Sequence, residues 1–107
     1  MLAMPEMKAG ILPLEGEIDL HVAPQISASL ANLIVEKPPH VVVDLSKVSY
    51  IDSSGLAALI EAMQNVNRYG GKFALAGLQE GVRPIFEIAR LDQVFRIFPD
   101  TESALGT

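Results

Sequence analysis

The chain has 107 residues, half of them hydrophobic, no cysteine and a formal charge of −5. That length fits one domain built around one shared core. The missing cysteines exclude a disulfide framework, thiolate catalysis and Cys-based zinc or iron–sulfur sites, and the acidity argues against binding a phosphate backbone.

Residues 1–9 lack a basic start followed by an apolar run, so no signal peptide is expected. No apolar stretch approaches the ~20 residues of a membrane span. Residues 1–8 are read as an edge strand, where Pro5 is tolerated because an edge can spare a ladder donor. Residues 10–16 (Gly-Ile-Leu-Pro-Leu-Glu-Gly) are read as a second strand, carrying Pro13, and Glu17 to Leu20 leave it. Pro24 suits a first helical turn, and Ile26, Leu30, Leu33 and Ile34 recur at helical spacing until Pro38 and Pro39.

The β-branched run from His40 to Leu45 predicts a central strand buried on both faces, followed by a loop from Ser46 to Ile51. Leu56, Leu59, Ile60, Met63 and Val66 form one stripe, so residues 54–68 are a helix, ended by Gly70-Gly71. Lys72 to Ala76 reads as a strand, Val82, Ile85, Phe86 and Ala89 as a helix, Val94 to Phe98 as a short strand and Thr101 to Leu105 as a helical turn. This alternation predicts an α/β sheet with parallel pairing.

The charge is unevenly spread. Residues 1–67 carry eight acids and three bases, residues 68–96 five bases and three acids, and residues 97–107 two acids. An acidic first half favours a partner with a basic face, through steering of the encounter; plain solubility explains the same charge.

The most informative segment runs from Val41 to Glu61. A buried strand leads through a short loop into Asp52-Ser53-Ser54-Gly55, which opens a helix. Ser53 is the expected N-cap, its hydroxyl accepting a first-turn amide, and Gly55 would let another surface approach without a Cβ in the way. Asp52 and Ser53 can be read as helix caps and nothing more. They can also be read as a phosphate site, because free amides and the macrodipole favour an anion at a helix start. Such a phosphate would act on whatever docks there, not on the fold.

Five stretches together resemble the STAS domains of bacterial anti-sigma factor antagonists. They are Gly16-Glu17-Ile18-Asp19, Val43-Asp44-Leu45, Tyr50 to Leu56, Gly70-Gly71-Lys72, and the pattern Val82-x-x-Ile85-Phe86-x-x-Ala89-x-Leu91-x-x-Val94-Phe95. The resemblance covers about residues 10–105 and implies one STAS domain over residues 1–107: a mixed sheet of four to five strands with about four helices. Pro13 departs from the family's unbroken β run.

The resemblance further implies a cytoplasmic, non-enzymatic module without a cofactor; with no long apolar surface stripe left unassigned, a monomer is expected when free. Its unphosphorylated form would bind an anti-sigma factor that is also a serine kinase, and so free a sigma factor. Phosphorylation would block that binding, and a serine phosphatase would reset it. Carried over by position, Ser53 is the phosphoacceptor, and Asp19, Asp52, Ser53, Ser54 and Gly55 form the partner surface. Asp19 could equally be a solvated loop acid or a cap for the helix near Pro24. A rival reading within the same fold is a scaffold without a switch, such as a stressosome-like subunit or a cytoplasmic accessory subunit of a lipid or anion transporter.

Other chemistries fit poorly. Ser53 lacks a Gly-x-Ser-x-Gly elbow, and His21 and His40 sit at element boundaries, so a hydrolase triad is disfavoured. Two separated histidines and scattered acids give no metal-ligand spacing. Gly77 to Gly81 lacks the Lys-Ser/Thr of a P-loop.

Overall fold

The computed structural model describes residues 10–106. Its elements alternate as β1 (Gly10–Ile18), α1 (Ala23–Ile34), β2 (His40–Ile51), α2 (Ser53–Arg68), β3 (Lys72–Ala76), α3 (Arg83–Ile88), a 3-10 turn at Leu91–Gln93, β4 (Arg96–Phe98) and α4 (Thr101–Leu105). The strands lie in the order β1-β2-β3-β4, and all three pairings are parallel. The strand expected at residues 1–8, which would make the sheet mixed, lies outside the described residues.

The apolar pattern explains the layering. Val41, Val43 and Leu45 of β2 and Phe73 and Leu75 of β3 face one side, where they meet Ile26 and Leu30 of α1, Leu59 and Val66 of α2, and Phe86 of α3. The intervening Val42, Ala74 and Ala76 face the other side, against Ala104 of α4. β2 is thus buried on both faces over Val41–Val43, as its β-branched run predicts.

Two strands run further than expected. β1 continues to Ile18, and β2 continues to Ile51 with no loop after Leu45. β3 accompanies β2 only as far as Asp44, opposite Ala76; beyond that point β2 pairs with β1 alone. Along this ribbon Pro13↔Asp44 is followed by Glu15↔Lys47, and Gly16↔Val48 by Glu17↔Tyr50, so β2 gains an extra residue at each shift. Such bulges re-aim side chains. Here they keep Leu45, Val48 and Ile51 buried at three-residue spacing, a pattern that alternation would not allow. Pro13 sits beside the first shift, on a strand that borders the described sheet, where a missing donor is tolerated.

Candidate functional site

Parallel strands bring the chain segments that follow β1 and β2 to the same end of the sheet. Ile18 pairs with Ile51 in the last register step, and the Asp52 amide donates to the Ile18 carbonyl at 3.0 Å. Asp19 and the Asp52-Ser53-Ser54 start of α2 therefore leave the sheet side by side.

The helix start differs from the sequence expectation. Asp52, not Ser53, is the N-cap: its backbone is extended, and its Oδ1 accepts from the Ser54 amide at 2.9 Å and the Gly55 amide at 3.2 Å. The Asp52 carbonyl takes the Leu56 amide at 3.0 Å. Two adjacent residues were both competent caps, and the carboxylate, the stronger acceptor, holds the position. Ser53 becomes the first helical residue and is exposed, while Ser54 is half-buried.

Gly55 also differs from its expected role as an open approach for a partner. It is buried, and a Cβ there would stand 2.7 Å from Ile18 Cγ2 and 2.7 Å from Ile51 Cγ1. Its missing side chain lets α2 close onto the ends of β1 and β2, and it presents nothing to solvent.

Asp19 is half-buried. Its Oδ1 accepts from the His21 amide at 2.9 Å, and its carbonyl accepts from Val22 and Ala23, which opens the turn into α1. The carboxylate is therefore fixed by the backbone at the same end as Ser53. His21 is exposed on this turn, whereas His40 starts β2 at the opposite end of the sheet. Among the described residues no group of three or more His, Asp or Glu could hold a metal ion.

Two apolar residues at this end escape sequence reasoning. Leu20 is 67% exposed and Tyr50, opposite the exposed Glu17, is 46% exposed. Both stand next to apolar β runs and look like core; only the bulge at Ser49 and the turn after Ile18 send them outward. The one signal in sequence is their position within two residues of an acid. The end thus offers a hydroxyl, three carboxylates (Glu17, Asp19, Asp52) and two apolar side chains. A groove of about 300 Å³ runs along the α1–α2 seam, lined by Ala28, Ala31, Ala58, Ala62 and Asn65 among others, and does not include these residues.

Comparison with known proteins shows the relatives of this fold. The family model described as STAS domain matches residues 5–104. An anti-sigma-B factor antagonist from Listeria monocytogenes is 32% identical over 77% of this chain and 72% of its own. The crystal structure of an anti-sigma factor antagonist from Mycobacterium paratuberculosis superposes with a TM-score of 0.83 at 26% identity, covering 92% of this chain and 83% of that one. A sulfate transporter family protein from Wolinella succinogenes superposes with a TM-score of 0.79 at 20% identity, covering 97% and 93%; that likeness concerns the fold alone. No helix among the described residues is long and apolar enough to cross a membrane.

Proposed function

Because the chain belongs to the STAS domain family, we propose that it acts as an anti-sigma factor antagonist whose partner binding is switched at Ser53. The antagonist role is supported by the relatives that carry that name. The switch rests on one observation: Asp52 caps α2, so Ser53 stands exposed at the helix start, at the end of the sheet that also carries Asp19.

In this reading the unphosphorylated end of the sheet docks on a protein that is both anti-sigma factor and serine kinase, and the sigma factor is released. Asp19, Asp52, Ser53 and Ser54 contribute polar contacts, and Leu20 and Tyr50 contribute apolar area at the rim. A phosphate on Ser53 adds about two negative charges and bulk where the partner sits. The Ser54 and Gly55 amides are already taken by Asp52, so most of that charge stays at the interface. A serine phosphatase restores binding.

The test is intact-mass analysis with phosphopeptide mapping of the protein from its native cells, in growth and under stress. It is paired with binding of Ser53→Ala and Ser53→Asp to the purified kinase. Condition-dependent phosphate on Ser53, a binding-competent Ala variant and a weakened Asp variant are expected. Loss of binding in folded Ser53→Ala would sink the switch. Absence of phosphate in every condition would favour the non-switching scaffold or transporter-subunit role, which shares this fold with the sulfate transporter family protein.

A further inference from the structure

Asp and Ser are both strong N-cap residues, and they stand next to each other at 52 and 53. The start of α2 can therefore be built in two frames. In one, Asp52 caps and Ser53 is the first helical residue. In the other, Ser53 caps, its hydroxyl accepts from the Gly55 or Leu56 amide, and the helix is one residue shorter.

The first frame is the one adopted. Asp52 is extended (φ −102°, ψ −173°) and its Oδ1 takes the Ser54 and Gly55 amides. Its carbonyl takes the Leu56 amide, and its own amide is tied to Ile18. Every amide that a Ser53 hydroxyl could cap is thus occupied, and Ser53 is exposed. Position 52 wins this competition because its amide is tied to Ile18, which holds it in the extended cap conformation, and the charged acceptor adds to that by complementing the positive end of the helix.

We infer that Asp52 is a positioning residue: by holding the cap, it keeps the Ser53 hydroxyl out of the helix's own hydrogen bonding and available for modification or contact. The meaning of this role rests on the reading of Ser53 as the acceptor; its test does not.

The test is a double-substitution cycle read by melting temperature, using the protein alone. In the wild type, Ser53→Ala removes no cap and shifts Tm by less than about 3 °C. With Asp52→Ala in place, the chain falls back on Ser53, and adding Ser53→Ala lowers Tm by about 4–8 °C more. With Asp52→Asn, which caps without charge, Ser53→Ala is again nearly silent. A role that was structural in the ordinary sense would make the Asp52 and Ser53 effects additive, and additive effects would overturn the inference.

Backbone chemical shifts of Ser53, recorded at low temperature where even a weakened variant is folded, read the same choice directly. Helical shifts are expected in the wild type and Asp52→Asn, and extended shifts in Asp52→Ala; helical shifts in all three would also overturn it. An additive cycle leaves Ser53 free to be a phosphoacceptor, and an unmodified Ser53 in cells leaves the cycle standing, so the two ideas fail separately.

Discussion

The amide of Asp52 donates to the carbonyl of Ile18 across 3.0 Å. This bond joins the end of β1 to the residue that caps α2, although the two lie more than thirty positions apart in sequence. It fixes both turns that leave this end of the sheet. Asp19 follows Ile18 and opens the turn into α1, and Asp52 opens α2. Both carboxylates are held by backbone amides, so their charge is presented from a prepared position and little side-chain freedom is lost when a partner docks.

Gly55 is the seat of α2 against this joint. Ala at that position would gain about 1 kcal/mol of helix propensity, but its Cβ would lie 2.7 Å from branched carbons of Ile18 and Ile51. Both are buried, so overpacking of about 1–3 kcal/mol should prevail. Gly55→Ala is expected to lower the urea midpoint with an unchanged m-value. A neutral or raised midpoint would show slack in the joint.

The sequence made the element order readable because the apolar periods are strong; β3 and α4 match their predicted bounds. It could not show the course of β2 after Leu45. Leu45, Val48 and Ile51 are spaced by three, which fits neither a strand nor the helix that follows. The two extra residues are absorbed only because β1 lies alongside with its own irregularities. The candidate site was legible as a string, Asp-Ser-Ser-Gly, but not as geometry. Local propensity cannot choose between neighbouring caps, and the inward role of Gly55 depends on two isoleucines distant in sequence.

The loop after β3 is locked to the bulged part of β2. Gln79 Nε2 donates to the Ser46 carbonyl at 2.8 Å. Gly77 has φ +75°, and a Cβ there would come within 2.9 Å of Ser46 Cβ and 3.2 Å of its Cα. Gly77→Ala combines an unfavourable left-handed backbone with that clash, and a cost of about 1–3 kcal/mol is expected. Gln79→Ala loses one exposed hydrogen bond, about 0.5–1.5 kcal/mol at most. Its effect should be local: faster amide exchange over residues 77–82 with the global midpoint nearly unmoved. Unchanged exchange there would mean that Gln79 does not hold the loop.

The short helix α4 carries a pH signature. Asp100 caps it, accepting from the Ser103 amide at 2.7 Å. That backbone bond, with help from the Ser103 side chain, holds the Asp100 carboxyl below its ordinary value. A carboxyl lowered on folding stabilises the fold above its unfolded pKa of about 3.9 and loses that contribution as pH falls through the folded value. The protection of the Ala104 amide, on the side of the sheet that α4 covers, measured as exchange relative to the intrinsic rate at each pH, should therefore fall below about pH 4. Asp100→Asn, which caps without titrating, should flatten that acid limb. An identical limb in the Asn variant would assign the effect to other carboxyls.

The acidic end should also leave a mark on kinetics. Glu17, Asp19 and Asp52 share one end of the sheet, and on the proposed reading the kinase surface that accepts them opposes them with basic groups. Exposed charges of this kind act mainly by steering, and steering is screened within about 10 Å at 0.1 M salt. Stopped-flow association with the purified kinase should slow several-fold between about 0.05 and 0.5 M salt, while dissociation changes less. Asp19→Asn isolates one charge cleanly, because an Asn side chain can still accept from the His21 amide and preserve the turn. It should lower the on-rate at low salt and converge with the wild type at high salt. If the two proteins differ equally at every salt concentration, Asp19 acts by direct contact. If association is flat across the whole range, the carboxylates do not steer the partner and the apolar rim of Leu20 and Tyr50 must carry the encounter.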